Sequence, residues 1–340
     1  MKRVVSLCLA AFLFSGGNVM AEDLRKMVMN EGLKAIPADK EERNKVIGNP
    51  DKKLIELGKK LYFDPRLSKS GLISCNTCHN LATGGADGVP AAIGHKWVAN
   101  PHHLNSPTVY NSVFNASQMW DGRFANLEEQ AKGPIQAPPE MDAAPELVVK
   151  RLNSIPAYVE EFKRAYAKDK NPVTFDNVAK AIAAFERTLV TPSRFDAFMN
   201  GNGNALTKGE KAGLKIFVDK GCATCHGGMG FGGGSLQPFP VVGKYKYDHL
   251  GDFKGNKNGL VKVPLLRNIT NTAPYFHNGA VWTLEEAVKL MGELQLGMEL
   301  SNEEINKIVD FLKALEGVRP EISYPVLPAS TAHTPKPDIM

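Results

Sequence analysis

Four stretches of the chain repeat apolar residues at helical spacing. Leu54, Leu57 and Leu61 share one face of residues 53–63, and Leu214, Phe217 and Val218 share one face of 212–218. Val178, Ile182, Phe185 and Leu189 form a third stripe, and Ile305, Ile308, Val309, Leu312 and Leu315 a fourth. Thr207 with Glu210 and Ser301 with Glu304 are capping boxes that open the second and fourth helices, and Gly317 closes the fourth. Strand signals are few and short. Across residues 191–205, Pro192 and a Gly-Asn run break the helical pattern. The pattern predicts a mainly α chain in two tandem halves, each opening and closing with an amphipathic helix. Their spans are 22–190 and 191–320, followed by a Pro-rich extended tail, 321–340.

Between the paired helices of each half lies the same short motif: Cys75-Asn76-Thr77-Cys78-His79 and Cys222-Ala223-Thr224-Cys225-His226. C-x-x-C-H is the attachment signature of c-type haem, in which two thiols add to the porphyrin vinyl groups and the adjacent imidazole reaches the iron. C-x-x-C alone also fits a redox dithiol or half a zinc site, but the immediate histidine in both copies favours haem. Helix, motif, loop and helix make the plan of a small cytochrome c domain, so the fold expectation is two cytochrome c-like haem domains in tandem. The Gly-rich run 227–234 lacks the strand–helix context of a phosphate cradle and is read as a loop over a haem edge.

The first 21 residues have the form of an export leader. Lys2 and Arg3 precede an apolar stretch, 4–14, and Val19-Met20-Ala21 is a small-residue cleavage site. That stretch is too short to span a bilayer. Cys8 lies inside the leader, and the other four cysteines are the haem pairs, so no disulfide framework is expected. The formal charge of +5 falls to +3 without Lys2 and Arg3, and four haem propionates would bring it near neutrality. Charge therefore gives no argument for nucleic acid or an anionic membrane.

The sixth ligand of each iron decides what two haems do, since axial identity sets potential and reactivity. Spacing leaves His95, His102 and His103 open in the first half, and Met229, Met291 and Met298 in the second. Glu140, in a Pro-rich loop, reads on its own as a solvated acid.

Longer blocks add to this. Gly94-His95-Lys96-Trp97, Ser106-Pro107-Thr108-Val109, Phe114-Asn115, Trp120-Asp121-Gly122-Arg123 and Ala273-Pro274-Tyr275-Phe276-His277-Asn278-Gly279 stand in that order. Met291 and then Gln295-Leu296-Gly297 follow. Together with the two haem motifs they make the mature chain resemble the bacterial dihaem cytochrome c peroxidases along nearly its whole length. The resemblance implies His79 and His95 as axial ligands of the first haem, and His226 and Met291 as those of the second. It implies Trp120 as the coupling residue between haems, Gln130 and Glu140 as the lining of a peroxide pocket, and one calcium held by the Asn105 side chain and the Thr272 and Pro274 carbonyls. Residues 99–104 make a slightly longer loop than is usual in that family, and Met119 stands where a bulky aromatic is common.

The implied function is a periplasmic, homodimeric peroxidase. It would reduce hydrogen peroxide to water with two electrons from a monohaem cytochrome c or a cupredoxin. The His/Met haem would take each electron first, and His95 would leave the other haem to admit peroxide. A dihaem electron carrier without substrate chemistry is the alternative from another class. A dihaem enzyme that matures a protein-derived quinone is a third, but such enzymes carry a tyrosine where this chain has Met291. A redox sensor would need an output domain, and the sequence offers none.

Overall fold

Side-chain caps set most of the helix starts. A computed structural model describes residues 9–339, and of 9–19 only the backbone. The helices, in order, are α1 (Leu9–Asn30), α2 (Lys40–Val46), α3 (Lys52–Phe63), the one-turn α4 (Cys75–Cys78), α5 (Leu127–Gln136), α6 (Pro145–Asn153), α7 (Pro156–Ala165) and α8 (Phe175–Glu186). There follow α9 (Arg194–Met199), α10 (Lys208–Asp219), α11 (Leu284–Met291) and α12 (Asn302–Lys313). Asp51 caps α3 and Thr174 caps α8, each accepting a backbone N–H of the first turn. The Thr207 and Ser301 boxes open α10 and α12. β1 (Leu236–Pro238) and β2 (Leu260–Lys262) pair antiparallel, with Gln237 opposite Val261. Residues 1–8 of the expected leader lie outside the described residues, and α1 runs through the expected cleavage site at Ala21. Among the described residues no helix is long and apolar enough to cross a membrane.

Two helix pairs form the two cores. In the first half α3 crosses α8, burying Leu57, Leu61 and Tyr62 against Val178, Ile182 and Phe185. In the second α10 crosses α12, burying Leu214 and Phe217 against Ile308 and Phe311. Each such side chain contributes about 1.5–3 kcal/mol by leaving water. Both crossings are made through a glycine. A Cβ on Gly58 would lie 1.8 Å from the Ala181 carbonyl oxygen, and one on Gly213 would lie 1.8 Å from that of Lys307. The apolar stripes overrun their helices by one leucine each. Leu189 and Leu315 lie beyond the last α-helical residue, in turns closed by Leu189 N–H to Glu186 and Leu315 N–H to Leu312, yet stay fully buried.

The chain ends are exchanged between the halves. Ala21, Val28 and Leu33 belong to the second core, so the span 22–190 begins with residues that pack on the other half. The tail crosses back over the first half: the Arg66 guanidinium donates to the Pro328 carbonyl at 2.7 Å, and Thr334 bonds Ser154 at 2.8 Å.

Candidate functional site

Each C-x-x-C-H motif is a tight turn that aims an imidazole inward. α4 is held by a capping box between Ser74 and Thr77, and the His79 N–H closes the turn on the Cys75 carbonyl at 2.9 Å. Tyr62, from α3, donates to the His79 carbonyl at 2.6 Å. In the second motif the His226 N–H closes on the Cys222 carbonyl at 3.0 Å. The two rings are oriented alike. His79 Nδ1 lies 2.9 Å from the Pro107 carbonyl oxygen, and His226 Nδ1 lies 3.2 Å from that of Phe231. A carbonyl can only accept, so Nδ1 carries the hydrogen in both and Nε2 is left with a bare lone pair. Burial favours the neutral ring in both, drawing His79 down and His226 to about 4.

One cavity of about 400 Å³ runs past both motifs, lined by Cys78, His79, Cys222, Cys225 and His226. Cys75, Cys78, Cys222 and Cys225 are all free thiols, and burial pushes Cys78 up to about 12 and Cys222 to about 11. Such thiols are poor free nucleophiles and poor thiolate metal ligands. Three unpaired thiols and two metal-ready imidazoles along one largely apolar cavity, with Cys75 opening the turn that carries Cys78 and His79, fit two covalently attached haems.

The structure separates the ligand candidates that spacing left open. Met291, at the end of α11, lines the cavity, whereas Met229 and Met298 do not. His102 is exposed and paired with Asp252 at 2.8 Å. His95 is enclosed, 6% exposed, but is not among the cavity-lining residues. Its Nε2 lies 3.4 Å from Asp142 Oδ2, and neither ring nitrogen makes a hydrogen bond. The backbone around it is tightly turned, with Lys96 and Trp97 at positive φ. His95 N–H donates to the Glu140 carbonyl at 2.7 Å, so the His95 loop and the Glu140 turn are joined.

Glu140, Gln130, Arg123 and Trp120 line the cavity with His79. Glu140 follows α5, its carboxyl held above the usual range by burial and partly relieved by Arg123. Gln130 sits on α5, its amide 3.9 Å from the Met119 sulfur. Trp120 donates from its indole to the Asn105 carbonyl at 2.9 Å and lies edge-on to His277, with centroids 6.4 Å apart. Asn105, Thr272 and Pro274 also line the cavity. Asn105 donates its amide N–H to the Val89 carbonyl at 2.8 Å, which turns Oδ1 the other way. Among the described residues no group of three His, Cys, Asp or Glu side chains could hold a metal ion, so any cation here would rest on amide and carbonyl oxygens.

The sequence assigns no role to three further residues in the cavity wall, of which His277 lies in the 273–279 block. His277 is buried and drawn down to about 4 by desolvation. Lys262, buried on β2, is drawn down to about 8, with Asp121 opposing. Glu186 sits on the buried face of α8. The signal for Glu186 was available: it follows Ile182 by four and Val178 by eight, placing an acid on an apolar stripe.

A mainly helical protein with two C-x-x-C-H turns on one cavity, plus a buried acid beside one of them, is a dihaem c-type cytochrome with the outline of an enzyme. Comparison with known proteins is specific. The profile of the family described as di-haem cytochrome c peroxidase matches residues 52–204, and that of cytochrome c matches residues 210–316. The chain is 51% identical over 292 residues to cytochrome c551 peroxidase of Pseudomonas aeruginosa, covering 83% of this chain and 84% of the relative. It is 45% identical over 340 residues to cytochrome c551 peroxidase of Nitrosomonas europaea, covering 98% and 96%. A solved structure of a MauG-like protein associated with microbial copper homeostasis superposes with a TM-score of 0.70 at 26% identity, covering 78% of this chain and 90% of that one. The chain belongs to the di-haem cytochrome c peroxidase family. Its two haem-binding domains and its helical fold are those expected from the sequence.

Proposed function

We propose that the protein is an exported, periplasmic peroxidase that carries out H2O2 + 2 e− + 2 H+ → 2 H2O. A monohaem cytochrome c or a cupredoxin supplies the electrons. The observation that carries this reading is that Glu140, Gln130 and Arg123 line the same cavity as His79. Cys75, Cys78 and His79 would hold one haem, and Cys222, Cys225, His226 and Met291 the other. The bound haems supply the redox equivalents and the iron at which peroxide is reduced. Glu140 takes the proton from one peroxide oxygen and returns it to the other, a task suited to a carboxyl whose proton affinity is raised by burial. The Gln130 amide and Arg123 guanidinium favour the charge that develops on the departing oxygen. Trp120, on the shared wall, couples the two haem sites.

His95 would serve as the removable ligand of the first haem, and Asp142, 3.4 Å from its Nε2, offers it a partner once it leaves. Asn105 Oδ1 and the Thr272 and Pro274 carbonyls, next to the Trp120 hydrogen bond, would hold a calcium ion. Residues 22–190 and 191–320 are the two haem domains, 321–340 the tail, and the molecule works as a homodimer.

Stopped-flow mixing of peroxide with the oxidised and the half-reduced holoprotein, followed by absorbance, tests the reading. Rapid oxidation by peroxide is expected, and Glu140→Gln should slow it by about 10²–10⁴-fold at unchanged haem content. Two fully loaded haems that do not react with peroxide in either state would leave only an electron carrier.

A further inference from the structure

Glu186 is a buried acid to which the peroxide chemistry assigns no task. It is the last residue of α8, 6% exposed, and lines the cavity. Its Oε2 is buried without a hydrogen-bond partner. Buried carboxyls are ordinarily paired or hydrogen-bonded, because an unmatched charge out of water is costly. The groups around Glu186 do not match it. From α3 comes Tyr62, whose hydroxyl is committed to the His79 carbonyl at 2.6 Å. From α4 comes Cys75, close enough for the two groups to interact. From α5 comes Glu128, a second acid, and Arg187, the residue that ends α8, already pairs with Glu128 at 2.9 Å. α6 also packs on α8, and its buried Arg151 is spent on the carbonyls of Arg66, Ser68 and Lys69. Desolvation, reinforced by Glu128 and only partly opposed by Arg187, raises Glu186 to about 8.

We infer that Glu186 is a proton-binding site coupled to reduction of the haem held by Cys75, Cys78 and His79, taking up a proton from solvent when that haem gains an electron. This rests on those residues holding a haem, as proposed above. The balance is Fe(III) + e− + Glu186 carboxylate + H+ → Fe(II) + Glu186 carboxylic acid. The electron comes from the donor protein, and no carbon bond changes. The cause is Coulombic. Adding one negative charge near a desolvated carboxyl raises its proton affinity, and the poorly screened interior makes the effect large. The groups that interact with Glu186 all belong to the first half, so the second haem serves as an internal control.

Spectroelectrochemical titration of both haems in the holoprotein, from about pH 6 to about pH 10, tests this. The electron affinity of the first haem should fall with rising pH, approaching tenfold per unit where one proton accompanies one electron. In Glu186→Gln that slope should flatten, while the second haem keeps its wild-type profile. Equal slopes in wild type and Glu186→Gln, with both haems present, would sink the inference and leave the peroxidase reading intact. A pyridine haemochrome assay finding one covalent haem, attached at Cys222 and Cys225, would sink both. If Glu186→Gln does not load haem, the wild type still decides by redox-difference infrared spectroscopy. A protonated-carboxyl band that appears on reduction, shifts in D2O and persists in Glu140→Gln supports Glu186, and its absence overturns the inference.

Discussion

Arg267 is fully buried and spends its guanidinium on Asp196, with Nη1 2.8 Å from Oδ2 and Nη2 2.7 Å from Oδ1. Asp196 also accepts the backbone N–H of Ile36 at 2.7 Å and of Ser193 at 2.6 Å, so every lobe of the carboxylate is in use. Arg267 Nε donates to the Met229 carbonyl in the loop after the second haem motif. The pair thus pins the N-terminal segment, the start of α9 and a haem loop to one point. Asp196→Ala strands a buried cation and should cost about 3–5 kcal/mol. Denaturant unfolding of the holoprotein would measure it, and a loss below about 1 kcal/mol would mean that the cation finds water instead. Nothing in the linear pattern marks these two residues as partners. They are 71 positions apart, and each alone reads as an ordinary surface charge.

At the scale of elements, the two glycine crossings carry the repeat. Gly58 and Gly213 lie inside helices, where glycine costs about 0.5–1 kcal/mol relative to alanine. The cost is accepted because the partner helix backbone fills the space a methyl would take. Gly58→Ala and Gly213→Ala should each destabilise by about 1–3 kcal/mol or more, reversing the usual gain from Gly→Ala in a helix. Thermal unfolding with haem content as a second readout tests this, and an unchanged or raised midpoint would refute the close crossing. The helices themselves were legible, since a 3.6-residue period is a local property. The reason for a glycine within them was not, because it belongs to the opposing helix. The His95 loop is the other informative element. It has left-handed turns at Lys96 and Trp97, and Trp97 is 60% exposed. If it carries the removable ligand, His95→Ala should react with peroxide as isolated, without prior reduction. A normally loaded but unreactive His95→Ala protein would show that removing the ligand does not open the site.

In the whole molecule, the tail straps the first half. Arg151, 2% exposed, donates to carbonyls of residues 66–69 on one side and to those of Pro335 and Lys336 on the other. The Asp338 N–H bonds the Lys69 carbonyl at 3.0 Å, and Lys69 in turn pairs with Asp142 at 2.9 Å, beside His95. A chain ending at Pro320 would leave Arg151 short of acceptors in a buried position. Scanning calorimetry of that truncation should show a lower midpoint, by about 2–4 °C per kcal/mol lost. A midpoint equal to that of the full chain would make the strap an ornament of the surface. From the sequence the tail is simply Pro-rich and extended, because its partners are carbonyls and a buried arginine that no local pattern reveals.

The sequence by itself determined the two attachment turns, the four principal amphipathic helices and the two-haem character, because each is written in contiguous residues or a short period. Resemblance then carried the site residues onto their positions. Only the tertiary structure decided that Met291 and not Met298 borders the cavity, that His95 sits beside Asp142, and that Lys262 and Glu186 are buried on the cavity wall. These facts depend on which segments meet across α3, α5, α8 and the residues around β2. Desolvation and Coulombic interaction are properties of that meeting in space, and the order of residues along the chain does not contain them.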